Sequence, residues 1–404
     1  MNPDLEKLQP YPFQKLAVLF RAATANPAYR PISLSIGEPK HATPQFIRDA
    51  LVAGLDGLAN YPTTAGSDAL RGTIAQWLAK RYDIPAPDAH TQVLPVNGSR
   101  EALFAFAQAV IDRTKSHPVV VCPNPFYQIY EGAALLSGAT PCFLNTLPED
   151  HFALNFDQLP VAVWQRAQLI YVCSPGNPSG SVMALDEWKN LFEMSDRYGF
   201  VIASDECYSE IYFNDAKPLG ALQAAHLLGR GDYKNLVMFS SLSKRSNVPG
   251  MRSGFVAGDA KVIAKFALYR TYHGSAMNPA IQAASIAAWN DEGHVIENRR
   301  LYAEKFARVA AILKPVLPVV MPDAGFYLWI RTPIADTAFA QALYRDYNVT
   351  VLPGSYLARE AQAVNPGENF VRLALVANTE EAVEAAQRIA QFSGKLIDIR
   401  RKLA

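Results

Sequence analysis

The sequence has no run of the roughly 20 apolar residues that a membrane-spanning helix needs. Its first residues, MNPDLEKLQPYPFQK, also lack a basic region followed by an apolar one. Neither a membrane anchor nor an export leader is expected, and a cytoplasmic location is the default. Cysteine is scarce. Cys122, Cys142, Cys173 and Cys207 are widely spaced and form no C-x-x-C pair, which argues against a disulfide framework or a thiolate zinc site. Each reads as a small buried residue near a strand, in a reducing compartment. The seven histidines include no pair at metal-ligand spacing, so no metal is assigned. A large charge of either sign is missing too: the formal net charge of +1 provides no global field to gather nucleic acid or an anionic membrane. There is no internal repeat, low-complexity tract or long linker.

What is present is a chain of 404 residues, half of them apolar and only 19% charged, which suits a large α/β domain with a smaller companion. Over the central region short β-branched runs alternate with amphipathic segments. SREALFAFAQAVID sets Leu103, Phe106, Ala107 and Val110 on one helical face, and PVVVCP follows as a strand bounded by prolines. YEGAALLSGA then TPCFL, QLIYVCSP, LDEWKNLFEMSDRYG then FVIASDE, and NLVMFSSLSK then GFVAGD continue the pattern. Such alternation predicts a mostly parallel sheet covered on both faces, with ligands bound beyond the carboxyl ends of the strands. Four polar clusters follow strand-like runs: NGSRE, SPGNPSG, DECY and SLSK. They are expected to meet on one rim.

After about residue 276 the texture changes to a nearly continuous helical pattern, interrupted near Glu292 and Gly293. VVMPDAGFYLWI, a helix around TAFAQALYRDY, the strand-like FVRLALV and a last helix from Thr379 complete an α+β unit whose strands are expected to be few and antiparallel. The isolated strand in PISLSIGEP is expected to join it. The expected division is a large domain over 41–285 and a small one formed by 1–40 with 286–404.

Lys244, in SLSKRSNVPGMRSG, needs an explanation. The S-x-x-K beginning at Ser241 matches a serine-hydrolase nucleophile motif, but Pro249 and Gly250 cut short the helix it requires, and the companion S-D-N and K-T-G motifs are absent. A lysine can instead form a Schiff base with an aldehyde cofactor, and pyridoxal 5'-phosphate needs several further anchors. Its phosphate wants hydroxyls, an arginine and a helix N-terminus, available in Ser241, Ser243, Arg252 and the Gly98–Ser99 turn. Its ring nitrogen wants a carboxylate, which Asp205 can supply. The phenolic oxygen wants donors such as Asn177 and Tyr208, and the ring an aromatic such as Tyr127.

With those residues in view, nearly the whole chain resembles the class I/II, fold-type I aminotransferases. The resemblance rests on S-x-S-K with an arginine eight positions on (Lys244, Arg252), N-P-S-G from Asn177 to Gly180, D-E-x-Y from Asp205 to Tyr208, and a late strand arginine, Arg372, in that order. It implies a mostly parallel, mixed seven-stranded sheet flanked by helices, plus a smaller α+β domain. It implies Lys244 as Schiff-base lysine and proton carrier, Asp205 at the pyridine nitrogen, and Asn177 and Tyr208 at the phenolate oxygen. Around the phosphate it puts Ser99 with the backbone of Gly98 and Arg100, and Ser241, Ser243 and Arg252. Tyr127 would stack on the ring, Tyr61 would reach the neighbouring subunit's phosphate in a homodimer, and Arg372 would clamp the α-carboxylate beside Gly37 and Asn177. One departure is Ser253, where the family usually carries an aliphatic residue. SLSKRSNVPGMRSGFVAGD, CSPGNPSG and LQPYPFQKL look most like the bacterial N-succinyl-diaminopimelate aminotransferase group. That likeness implies exchange with glutamate and 2-oxoglutarate in diaminopimelate and lysine biosynthesis. Other class I donors (N-acetylornithine, aspartate, alanine, aromatic amino acids) and a C–S lyase on the same fold stay open. A non-catalytic regulator is disfavoured by the intact lysine and the absence of a winged-helix segment. For a distal carboxylate, Lys15, Arg21 and Arg30 are candidates, and the side chains of Arg100, Arg245 and Arg270 read either as anion contacts or as surface charges.

Overall fold

The computed structural model describes the backbone of residues 1–403 and the side chains of residues 1–397. In chain order the strands are β1 (Ile32–Ser33), β2 (Val93–Val96), β3 (Val119–Asn124), β4 (Thr140–Asn145), β5 (Ala167–Cys173), β6 (Val201–Asp205), β7 (Leu236–Ser241), β8 (Gly254–Gly258), β9 (Tyr327–Arg331), β10 (Val349–Thr350), β11 (Leu352–Pro353) and β12 (Phe370–Ala374). Seven of them form one sheet in the order β2-β8-β7-β6-β5-β3-β4. Only β8 runs against its neighbours, so the sheet is mixed and mostly parallel, as expected.

Burial on both faces follows from the period-2 geometry of a strand. In β3, Val119 and Val121 enter one apolar core while Val120 and Cys122 enter the core on the opposite face. The helix Ser99–Val110 covers the second face with Leu103, Phe106 and Ala107 fully buried, and Val110 lies at its half-buried edge. The polar clusters converge because parallel strands end on the same side. Asn124 of β3, Cys173 of β5, Asp205 of β6 and Ser241 of β7 all terminate there. The reversed strand β8 begins on that side too, which brings Arg252 to the same rim.

A separate apolar core joins β9 and β12 to the helices Gly293–Leu313, Asp336–Tyr347 and Thr379–Leu403. Its three-stranded sheet, β11-β12-β9, is antiparallel. The expectation of antiparallel pairing fails for β1. It lies parallel to β10, with Ile32 opposite Val349, because it arrives from the far end of the chain and no hairpin reverses its direction. The long helical pattern is interrupted where expected: Pro279–Asn290 stops at Asp291, whose carboxylate accepts the His294 amide at 3.0 Å as the helix Gly293–Leu313 begins.

Candidate active site

The rim encloses a cavity of about 330 Å³. Gly37, Ser99, Arg100, Tyr127, Asn177, Asp205, Tyr208, Ser241, Ser243, Lys244, Arg252 and Arg372 all line it. Loops beyond four parallel strands, the start of one helix and a strand of the smaller sheet therefore meet around one space. Gly98 stands behind Arg252. Its φ of +88° is one that L side chains rarely adopt, and a Cβ there would fall inside the Arg252 guanidinium. Gly37 is required by proximity instead, since a Cβ would collide with the Tyr327 hydroxyl.

Lys244 lies in the short helix Leu242–Arg245, which Ser241 caps by accepting the Ser243 amide at 3.1 Å. Its Nζ donates to the Gly37 carbonyl at 2.8 Å and stands 5.6 Å from the Phe326 ring centre. Burial lowers its pKa to about 8, a change to which Arg252 and Arg372 add. A much larger fraction of the amine is therefore neutral near pH 7 than for an exposed lysine. Asp205 is buried at the end of β6. Tyr130 donates its hydroxyl to Oδ2 at 2.7 Å, and the Cys207 amide donates to Oδ1 at 3.3 Å. Burial raises the Asp205 pKa, and the bonds from Cys207 and Tyr130 oppose that rise.

Arg372 is held from two sides. Nη1 donates to Asn177 Oδ1 at 2.9 Å, Nη2 to the Ser35 carbonyl at 2.8 Å, and the guanidinium carbon lies 4.3 Å from the Tyr327 ring centre. Its Nε is buried with no partner among the described residues. Because Asn177 Oδ1 is engaged, its amide nitrogen remains to donate elsewhere. The Tyr208 hydroxyl lies 3.0 Å from that of Tyr327, and burial raises its pKa well above the ordinary phenol value. The remaining polar groups gather at Ser99, Ser241 and Ser243, where Ser99 opens a helix and its Oγ meets Cys207 Sγ at 3.0 Å.

The family profile for aminotransferase class I and II matches residues 29–389. The chain belongs to the class I and II aminotransferases. Its relatives include the LL-diaminopimelate aminotransferase of Aquifex aeolicus (strain VF5), 31% identical over 364 residues covering 89% of this chain and 90% of that protein. The enzyme of the same name from Dehalococcoides mccartyi is 30% identical, with coverage of 98% and 99%. Among solved structures, an aminotransferase from Neisseria meningitidis Z2491 superposes with a TM-score of 0.95 at 54% identity, covering 97% of this chain and all of that one. A probable N-succinyldiaminopimelate aminotransferase from Thermus thermophilus shares the fold, with a TM-score of 0.83 at 24% identity and coverage of 94% and 99%.

The cofactor of this family is pyridoxal 5'-phosphate, and the donor set fits it. A partly neutral amine, a buried carboxylate, a group of hydroxyls with an arginine near a helix start, and a second guanidinium with an unpartnered Nε occupy one cavity. The glycine at position 98 keeps open the space that the Arg252 guanidinium occupies.

Tyr61 is fully exposed and lies outside this chain's own cavity, which leaves its expected place at a neighbouring subunit's phosphate untouched. Other sequence expectations need correction. Arg30 pairs with Glu384 and Glu381, Arg21 is exposed, and Lys15 stands over Tyr356 at 5.9 Å; none of the three lines the cavity. Arg245 and Arg270 are not surface charges and do not line the cavity. Both are buried and pair within the fold with partly exposed carboxylates, Arg245 with Glu292 at 2.5 Å and Arg270 with Glu101 at 2.7 Å. Of the cysteines only Cys122 is fully buried, and Cys207 lines the cavity. The sequence reading also missed Tyr11, Tyr130 and Tyr327. Tyr130 carried a usable signal, since it is an aromatic only three residues after Tyr127, in the first turn of the helix Ile129–Leu136.

Proposed function

We propose that this aminotransferase exchanges an amino group between N-succinyl-LL-2,6-diaminopimelate and the 2-oxoglutarate/glutamate pair, within diaminopimelate and lysine biosynthesis. One observation carries the choice of acylated substrate: Asp205 is the only carboxylate among the described residues lining the cavity, against Arg100, Lys244, Arg252 and Arg372. Asp205 is committed to Tyr130 and Cys207. A free distal ammonium would therefore enter a cationic cavity unpaired, whereas a succinylated nitrogen carries no charge and brings a carboxylate instead.

Pyridoxal phosphate, when bound, supplies an aldehyde for the substrate amine and a ring that accepts electrons from Cα. Lys244 anchors it and moves the proton at substrate Cα, a role suited to a base whose pKa is about 8. Asp205 keeps the ring nitrogen protonated, and Asn177 and Tyr208 donate to the phenolic oxygen. Ser99, Ser241, Ser243 and Arg252, with the backbone of Gly98 and Arg100, hold the phosphate, while Tyr127 stacks on the ring. Arg372 grips the α-carboxylate beside Gly37. We place the large domain at 41–285, the small one at 1–40 with 286–404, and Tyr61 at the partner's phosphate in a cytoplasmic homodimer.

The names of the relatives favour a second reading, in which unacylated LL-diaminopimelate is the donor. The test is a panel of kcat/KM values with 2-oxoglutarate for N-succinyl-diaminopimelate, LL-diaminopimelate, N-acetylornithine, aspartate and alanine. The succinylated donor is expected to lead. A lead for LL-diaminopimelate would replace this reading with the second.

A further inference from the structure

Three buried side chains form a stripe on the helix Gly293–Leu313: Asn298, Tyr302 and Lys305, at the i, i+4 and i+7 positions that share one helical face. The scheme above gives none of them a task. Lys305 is the costly member, because its amine is fully buried and pairs with no carboxylate among the described residues. Its Nζ donates instead to the Leu375 carbonyl at 3.0 Å and meets His41 Nε2 at 3.0 Å.

The imidazole of His41 lies across this stripe. Its ring centre is 4.6 Å from that of Tyr302, and its Nδ1 meets Asn298 Oδ1 at 2.8 Å while Nε2 meets Lys305. Donor chemistry fixes the direction of each bond. An ammonium only donates, so Nε2 accepts, and the neutral imidazole then carries its hydrogen on Nδ1 and donates it to Asn298. Asn298 Oδ1 also accepts from the side-chain amide of Asn247 at 3.1 Å, which leaves the Asn298 amide nitrogen to donate to the Lys244 carbonyl at 3.4 Å.

This relay ends at two places in the site. One is the backbone of the reactive lysine, and the other is Leu375, just beyond β12 and three residues past Arg372. Between them stands a helix whose rise of about 1.5 Å per residue puts Asn298 and Lys305 about 10 Å apart along its axis. The segment that carries His41 meets the Lys244 region at two further points. Gly37 accepts Lys244 Nζ at 2.8 Å, and the Thr43 hydroxyl donates to the Asn247 carbonyl at 2.9 Å.

We infer that His41, held between Asn298 and Lys305, is a positioning residue that keeps the Lys244 backbone and the Arg372 strand at the spacing that reaction at substrate Cα needs. The inference rests on the roles given above to Lys244 and Arg372. A competing view makes the same bonds a fastening for the fold alone.

The test measures single-turnover rates of the holoenzyme with whichever donor of the panel above reacts fastest, so it does not depend on which donor that is. His41→Phe keeps a ring on Tyr302 and removes both hydrogen bonds. It should slow the turnover by about tenfold to a hundredfold, the scale of a misplacement of about 1 Å, while the donor concentration for half-maximal rate stays within about twofold. Lys305→Met, which keeps the stem and removes the donor, should also be slow, and the double variant no slower than His41→Phe alone, because one relay breaks only once. Should His41→Phe not fold, Lys305→Met and Asn298→Ala, which share no hydrogen bond, run the same cycle from the two ends of the relay. An unchanged rate with a lowered unfolding temperature, losses that multiply in the double variant, or a loss confined to the half-saturating concentration would overturn the inference. Those results sink the relay alone, whereas a Lys244→Ala enzyme that keeps its activity would sink the placement of the reaction on which it rests.

Discussion

Replacing Arg372 by lysine should weaken every amino donor and every oxo acceptor to a similar degree. In the structure the guanidinium is locked before any substrate arrives, with Nη1 on Asn177 at 2.9 Å, Nη2 on the Ser35 carbonyl at 2.8 Å and the Tyr327 ring 4.3 Å away. Its buried Nε has no partner among the described residues, so a donor is already desolvated and waiting. Lysine keeps the charge but cannot reproduce two parallel bonds or reach both Asn177 and Ser35 at once. Charged hydrogen bonds contribute about 1.5 to 3 kcal/mol. The expected loss in kcat/KM is therefore about tenfold to a few hundredfold, more if the substrate Cα is misaligned. The stranded Asn177 and Ser35 oxygens should cost about 1 to 3 kcal/mol of stability as well. Steady-state kinetics of both half-reactions, with thermal unfolding as a control for folding, measure these effects. If glutamate is unaffected and only the succinylated substrate suffers, Arg372 serves the distal end and its placement here is wrong.

Asp205→Asn should reduce the chemical step more than KM, because an amide cannot keep the ring nitrogen protonated; an unchanged single-turnover rate would remove Asp205 from the mechanism. Capture of cofactor by apoenzyme, followed by visible absorption, should speed up with pH and level off near the Lys244 pKa of about 8, whereas a rise continuing to pH 10 would mean that an ordinary lysine is reacting. Lys305 offers a prediction for stability. It is fully buried, donates to the Leu375 carbonyl and His41 at 3.0 Å each, and burial lowers its pKa from 10.5 to about 8. Between those values the unfolded chain binds the extra proton, so stability should climb with pH through that window, by about 3 kcal/mol. Below pH 8 the buried charge carries its full penalty. Lys305→Met should lose this climb in urea unfolding at pH 7.5 and 10, and an identical climb in the variant would show that Lys305 is not the cause.

The rim was legible because each of its strands is a short apolar run ending in a polar cluster, and parallel strands must end together. SPGNPSG, DECY and SLSK arrive at the cavity for that reason. What stayed hidden depends on distant partners. Arg270 in isolation looks like a surface charge, and only the fold brings Glu101, 169 positions away, to where both carboxylate oxygens accept from Arg270 Nη1. Tyr327 reaches Tyr208 because the chain entering β9 is tied to the segment after β6, with the Gly325 amide donating to the Ile211 carbonyl at 2.7 Å, a pairing that no local pattern encodes. β10 and β11, with two residues each, are too short to show the alternation by which a strand is recognised. Tyr11 sits in a segment whose resemblance was visible but whose reach across to Arg100 was not.

The most direct measurement is borohydride reduction of the yellow holoenzyme followed by proteolysis and mass mapping of the cofactor adduct. The adduct should lie on the peptide carrying Lys244 and disappear in Lys244→Ala together with the visible absorption. Lys305, whose amine burial likewise brings to a pKa of about 8, makes the experiment discriminating because it lies outside the cavity. An adduct on Lys305, or an unlabelled Lys244 in active enzyme, would contradict the placement of the reaction in this cavity.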